Sequence, residues 1–231
     1  MAYNIKLLDW DTANFGFGVA ELAYDGIFNF NLGDIRSYLA ATYPEVKLLY
    51  IKTSKKIDRS NIFCDEKITY VKHHQGTNYE AYLNIESNKN KIITTDLYEL
   101  AILSGKFSRY NLDVKFPKKS FRHLYMKWIE NSVYTEFATD VLVYKYNSKI
   151  IGFLTYKDSN DISSIGIISV NPKFQGLGIG SKLMSHYQSL LKPNIKLQTV
   201  VTQGCNIKAR TLYEKNGYGI LDRTYTYHLW V

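Results

Sequence analysis

A glycine-rich turn set between a strand-like run and a helix-like run constrains this chain more than any other feature. Ile165-Gly166-Ile167-Ile168-Ser169-Val170 is a short apolar run of strand character, and residues 181–187 carry helical spacing. Between them lies Gln175-Gly176-Leu177-Gly178-Ile179-Gly180. Glycine permits positive φ and close approach of the backbone. The first N–H groups of the following helix have no intrahelical partner, so such a turn is suited to cradling an anion.

A second motif lies downstream. Asn206 opens a helix-like stretch that runs through Ala209, Leu212, Tyr213 and Gly217 to Tyr218. Asn206 suits an N-cap and Gly217 a C′ position. Residues seven apart share a helix face, so Asn206 and Tyr213 look to the same side. Gln175-x-x-Gly178-x-Gly180 and this second stretch, in this order, resemble the two signature segments of the GNAT (Gcn5-related N-acetyltransferase) superfamily. More narrowly, residues 8–16, Phe107-Ser108-Arg109-Tyr110, residues 128–133, residues 201–206 and the tail at 226–230 resemble dTDP-fucosamine acetyltransferases of bacterial surface-glycan pathways.

The resemblance implies an acyl-CoA co-substrate, acetyl-CoA or a longer acyl chain such as hydroxybutyryl, and no metal. It implies binding of that co-substrate by Ile168, Val170, Gln175, Gly176, Leu177, Gly178, Ile179, Gly180, Ser181, Asn206 and Ala209. The N–H at or beside Val170 would hold the thioester carbonyl, and the N–H groups from Gln175 to Ser181 the pyrophosphate. By its place in the motif Tyr213 is the expected general acid; a phenol with an ordinary pKa of ~10 stays protonated at neutral pH. Trp10, Phe15, Arg109, Asn131 and Gln203 are the expected acceptor contacts, Arg109 as a bidentate phosphate ligand. Each has a plainer reading: core aromatics for Trp10 and Phe15, a surface arginine, a helix cap for Asn131. For the base that frees the amine, Glu130, Asp113, Glu99 and His123 are candidates by chemistry alone, and a water chain is an alternative. The implied reaction is N-acylation of a dTDP-linked amino-dideoxy sugar for surface polysaccharide of the O-antigen type. The rivals are acylation of protein lysines or N-termini, and a non-catalytic module that binds CoA or nucleic acid.

Charge is compatible with polyanionic ligands: 29 Lys and Arg against 21 Asp and Glu leave +8. Neither helix-turn-helix, RNP nor zinc-finger patterning points to nucleic acid as the partner. The 20 tyrosines and 11 phenylalanines fit core and half-buried positions. Cys64 and Cys205 form no metal-type pair, and no pattern marks either as a nucleophile. The start, Met1-Ala2-Tyr3-Asn4-Ile5-Lys6, lacks the apolar core of a signal peptide, and no run approaches the ~20 apolar residues of a membrane span. The expectation is a cytoplasmic protein, with a two-fold homodimer as the commonest assembly.

The expected fold class is α/β (α+β): a smaller N-terminal α/β domain over 1–90, then a GNAT domain over 91–231 with a mixed, largely antiparallel sheet. Periodicity predicts strands at 5–8, 19–24, 46–53, 67–73 and 78–83 and a helix at 31–42. The polar run at 86–91 is the predicted boundary. Beyond it come a β-like 92–94, a helix capped by Asp96 and ended by Gly105, an irregular 108–119 and a helix over 120–131. Strands at 141–146 and 149–157 follow, joined by Asn147-Ser148, with a loop at 158–164. Strands at 165–170 and 196–202 alternate with the two motif helices, and a final strand closes the chain.

Overall fold

Val46–Thr53 reads VKLLYIKT, and six of its eight residues are buried. A strand apolar on both faces needs helices on both sides of its sheet. The computed structural model, which describes residues 3–24, 31–57, 62–74 and 79–231, has that arrangement. The first part runs β1 (Ile5–Leu7), α1 (Asp9–Phe15), β2 (Gly18–Ala23), α2 (Leu32–Thr42), β3 (Val46–Thr53), β4 (Phe63–His73) and β5 (Ile85–Ser87). Three helices follow, α3 (Thr95–Ser104), α4 (Arg109–Leu112) and α5 (Lys118–Tyr134), then the meander β6 (Asp140–Tyr146), β7 (Lys149–Ser159) and β8 (Ile162–Val170). The chain ends with α6 (Ile179–Ser189), β9 (Leu197–Gln203), α7 (Ile207–Lys215) and β10 (Gly219–Trp230).

All ten strands form one sheet in the order β1-β2-β3-β10-β4-β9-β8-β7-β6-β5. The pairs β2–β3 and β8–β9 are parallel and the others antiparallel, which is the expected mixed, largely antiparallel sheet. Alternate residues divide between the faces. Val141 and Val143 pack with α3 and α5, whereas Leu142 and Tyr144 pack with α6 and α7. Leu48 and Tyr50 join Phe15, Phe116 and Phe121 under α1, α4 and α5, while Leu49 and Ile51 meet α2. One face therefore carries α1, α3, α4 and α5, and the other α2, α6 and α7.

Several expectations are corrected. The helix α1 escaped periodicity because it is only seven residues long; Asp9 and Asp11 lie in its first turn and Gly16, at φ 76°, closes it. No strand forms over 79–83, and Asn78 lies outside the described residues, as do Met1 and Ala2 of the leader expectation. The strand lies instead at β5, which overlaps the start of the polar run read as a boundary. Lys89 Nζ docks that run by donating to the carbonyls of Ser132, Thr135 and Ala138, and Ser87 Oγ donates to Asp140. Residues 92–94 form no strand, and Thr94, not Asp96, is the N-cap of α3. The predicted loop at 158–164 is the tip of a long hairpin. Its polar residues are paired, Ser163 Oγ to Asp158 at 2.6 Å and Ser164 Oγ to Thr199 Oγ1 at 2.8 Å.

The first 90 residues and the remainder share this sheet without a gap. β5 pairs with β6, and β10 inserts between β3 and β4. At the start of β2, the Gly18 backbone meets β3 so closely that a Cβ there would stand 2.2 Å from the Glu45 carbonyl oxygen. Backbone cannot rotate aside as a side chain does. Gly18→Ala is expected to lower stability by about 1–3 kcal/mol, read as a lower denaturant midpoint at unchanged m-value.

Candidate active site

β8 and β9 pair over only four residues each, Ile162 to Ile165 against Leu197 to Val200. Beyond that they part: β8 stays with β7 as far as Val170, and β9 stays with β4 as far as Gln203. A bulge in the β7–β8 ladder lies at the fork. Thr155 Oγ1 there accepts the Ile167 N–H at 3.0 Å, and a Cβ on Gly166 would stand 2.8 Å from that oxygen. Bulges bend and twist the strand that carries them. The fork opens a cleft of about 370 Å³ lined by Gly166, Ile167 and Ile168 on one side and Val201, Thr202 and Gln203 on the other. It traverses the sheet, with Asn206, Ala209 and Tyr213 of the α7 segment on one face and Ser108, Arg109, Tyr125 and Trp128 on the other.

The fork leaves backbone donors unspent. The N–H groups of Ile167 and Asn171 point toward β7, to Thr155 Oγ1 and to the Ile151 carbonyl at 2.8 Å. Strand alternation then directs the N–H groups of Ile168 and Val170 into the fork. The Val170 carbonyl also faces away from β7, accepting from Gln175 Nε2 at 3.0 Å. Gln175 Oε1 accepts from Lys208 Nζ at 2.9 Å, so one side chain ties the end of β8 to α7.

The glycine turn lies beside this end of the cleft. Gly176 and Gly178 take φ of 83° and 77°, and Gly178 is the N-cap of α6. Leu177 is exposed, and the turn's backbone is on the surface. Gly180 serves differently: a Cβ there would meet Leu212 Cδ2 at 3.1 Å, so its absence lets α6 pack on α7. Asn216 Nδ2 donates to Ser181 Oγ and reinforces that contact. Asn206 caps α7, its Oδ1 accepting the Ala209 N–H at 3.2 Å, and both residues line the cleft. Tyr213 is buried against Tyr70, with ring centroids 5.7 Å apart, and also faces the cleft. Burial pushes its phenol well above the ordinary tyrosine range, so it carries its proton at neutral pH.

The residues expected to hold the acceptor scatter. Arg109 and Gln203 line the cleft. Arg109 lies over the rings of Tyr50 and Tyr110, 4.7 and 4.6 Å from their centroids, and donates to Tyr110 Oη at 2.6 Å. Phe15 is buried in the aromatic core, 4.9 Å from Phe116, because the α1–β2 corner needs a plug there. Trp10 is 47% exposed on α1 and Asn131 is half-buried near the end of α5; neither lines the cleft.

None of the four candidate bases lines it either. Asp113 Oδ2 accepts from His228 Nδ1 at 2.6 Å and Trp230 Nε1 at 2.8 Å, which fastens β10 to the end of α4. Burial alone would raise its carboxyl, but those hydrogen bonds outweigh it and hold Asp113 below the usual range. Glu130 accepts from Tyr98 Oη, Glu99 lines a separate cavity beside α3, and His123 is exposed on α5. Sequence reasoning passed over the carboxylate that does line the cleft, Asp65 of β4, which is 5% exposed. Its signal was an acidic residue two positions before Lys67 on one strand face, but the predicted strand began too late to include it.

Residues 138–220 match the family described as acetyltransferase (GNAT) domain. That stretch takes in the meander, the fork, the glycine turn and α7. Residues 138–220 form a GNAT domain. The chain is also 28% identical over 140 residues to the spore coat polysaccharide biosynthesis protein SpsD of Bacillus subtilis (strain 168). The matched region is 59% of this chain and 47% of SpsD, so the chain spans about half the length of that relative. A functionally unknown conserved protein from Staphylococcus epidermidis ATCC 12228 superposes with a TM-score of 0.64 at 12% identity, over 94% of this chain and 87% of that one. A GCN5-related N-acetyltransferase from Sphaerobacter thermophilus gives 0.56 at 10% identity, over 98% and 76%. At such identities the two structures speak for the fold alone. Among the described residues no helix is long and apolar enough to cross a membrane.

A side chain at Gly178 tests the turn. Left-handed backbone costs an L-residue roughly 1–2 kcal/mol. Gly178→Val is expected to weaken acetyl-CoA binding about tenfold in isothermal titration, while the circular dichroism spectrum stays unchanged.

Proposed function

We propose that the protein transfers an acyl group from acyl-CoA to the amine of a nucleotide-linked amino sugar, with a dTDP-linked amino-dideoxy sugar as the specific acceptor. The observation that carries this reading is the meeting, at one cleft, of unpaired strand N–H groups, a glycine turn at a helix N-terminus and a buried, protonated Tyr213. The turn's N–H groups would take the pyrophosphate and draw the pantetheine arm toward the fork. Ile168 or Val170 N–H would bind the thioester carbonyl and stabilise the tetrahedral oxyanion. Tyr213 would give its proton to the departing thiolate.

An acceptor reaches the thioester from the α4–α5 face, where strands of the first 90 residues supply Asp65 and Lys67. We keep residues 1–90 as the unit that shapes the acceptor side and 91–231 as the acyl-CoA side. The role of SpsD in spore coat polysaccharide biosynthesis supports a sugar acceptor over a peptide. The formal charge of +8 suits two polyanionic substrates. A bacterial surface polysaccharide of the O-antigen type is the product we place downstream, with reaction in the cytoplasm and a homodimer as the assembly.

A matrix of acetyl-, propionyl- and 3-hydroxybutyryl-CoA against dTDP-amino sugars and a lysine peptide tests the reading by thiol release and product mass. Turnover on a nucleotide amino sugar is expected. Turnover confined to the peptide would replace the acceptor class, and binding of CoA without any turnover would contradict catalysis. In the same assay Tyr213→Phe is expected to lower kcat by about 10²-fold or more, with acetyl-CoA affinity within twofold. Wild-type turnover in that variant would remove Tyr213 from the chemistry.

A further inference from the structure

The α4–α5 end of the cleft is a polar chamber with unspent hydrogen-bonding capacity. Asp65 enters it from β4, opposite Thr226 of β10, itself buried. Two residues along the same face stands Lys67, opposite Gln203 of β9. Around the chamber Tyr50 Oη, Ser108 Oγ and Arg109 Nε are buried without a hydrogen-bond partner among the described residues. Tyr50 is 0% and Ser108 3% exposed. Buried polar groups in native proteins are nearly always satisfied, and those that are not point to an absent water or ligand. No hydrogen bond or ion pair engages the Asp65 carboxylate among the described residues. A buried carboxylate left in that condition costs stability, and folds tolerate the cost where chemistry needs it.

We infer that Asp65 is the general base of the transfer: it receives the acceptor's ammonium group and takes its proton. This rests on the N-acyl transfer reading above. Asp65 shares the cleft with Ile168 and Tyr213, whereas Asp113, Glu130, Glu99 and His123 do not line it. The step balances as follows. The ammonium gives a proton to the Asp65 carboxylate, and the freed lone pair forms a C–N bond to the thioester carbonyl carbon. Collapse of the oxyanion breaks the C–S bond, whose electron pair leaves on sulfur and is protonated by Tyr213. The nitrogen loses a second proton, which restores the Tyr213 phenol through water, and Asp65 returns its own to solvent. Amide, CoA thiol and one proton result. The chamber's unpaired hydroxyls and the guanidinium suit an amine flanked by hydroxyl groups.

Burial pushes the Asp65 carboxyl up to about 6, against the pull of Arg109. The titratable and charged groups whose fields couple to it are Arg109 of α4, Tyr125 of α5, Lys67 on the same face of β4, Cys64 and Glu66 on the opposite face, and Cys205 beyond β9. Burial raises both thiols and Tyr125, leaving those three uncharged near pH 6. His228 acts on Arg109 from β10, and its burial lowers its affinity for a proton. The acid limb of kcat/KM is therefore expected to follow Asp65, with activity falling about tenfold per pH unit below a midpoint near 6.

The test compares wild type, Asp65→Asn and Asp65→Glu on whichever amine of the matrix turns over. For Asp65→Asn the expected result is a fall in kcat of at least a hundredfold at pH 7.5, loss of the acid limb and acetyl-CoA affinity within twofold. Asp65→Glu should recover part of the rate together with the limb. A folded pKa above the unfolded value means that ionised Asp65 destabilises the fold above about pH 4. Asp65→Asn should thus melt at or above the wild-type temperature at pH 7.5, with no gain below pH 4. Turnover within threefold of wild type, or a persisting acid limb, would overturn the assignment. If no amine turns over, the transfer reading fails, and ¹³C-carboxyl NMR decides this one with glucosamine and the lysine peptide as probes. An Asp65 midpoint near 6 that moves on adding either amine supports the ammonium site, and an ordinary, unresponsive midpoint refutes it.

Discussion

The separation of β8 from β9 is the constraint on which the rest of this molecule depends. Two parallel strands that share four residues and then diverge leave N–H groups with no strand partner among the described residues. A strand edge of that kind, half-buried at Ile168 and Val170, offers its donors to whatever enters the cleft. The remaining architecture is arranged around the gap. The β7–β8 bulge at Thr155 sets the direction of β8, β4 carries β9 away, and Gln175 braces the free end of β8 against α7. Helices on both faces keep the sheet rigid where it is split.

The two ends of the cleft differ in chemistry. Toward α7 it offers backbone N–H groups, a helix N-terminus and a phenol that burial keeps protonated, a set suited to an anionic thioester and its leaving thiolate. Toward α4 and α5 it offers Asp65, Arg109 and hydroxyls that have no partner among the described residues, a polar set of a different kind. On the proposed reading, amine and thioester meet within the sheet, each from its own end of the cleft. The tail strand is held through Asp113, His228 and Trp230, which lock β10 to the end of α4.

Legibility in the sequence tracked the range of the interactions. The glycine turn, the Asn206 cap, the Asn147-Ser148 turn and β3 are set by residues a few positions apart, and each was readable. The acceptor side was not. Asp113 looks like a free carboxylate until β10 returns to it, 115 residues later, with His228. Asp65 looks like one more strand-end acid until its register opposite Thr226 turns it inward. Phe15 sits in a segment that resembles sugar enzymes, yet its ring fills a corner between α1 and β2. The tip residues Ser163 and Ser164 read as a loop because the stretch is polar, and its pairing shows only in the fold: Ser163 bonds Asp158 across the hairpin and Ser164 bonds Thr199 of β9.

Amide hydrogen exchange, resolved by residue and run with and without acetyl-CoA, tests the central claim most directly. The fork leaves the N–H groups of Ile168 and Val170 without a strand partner, whereas those of Ile167 and Asn171 are already bonded toward β7. The account predicts that acetyl-CoA slows exchange at Ile168 or Val170 and at the α6 N-terminus from Ile179 to Ser181, with little change at Ile167 and Asn171. Binding that leaves Ile168, Val170 and the α6 N-terminus unprotected would place the thioester elsewhere and contradict it.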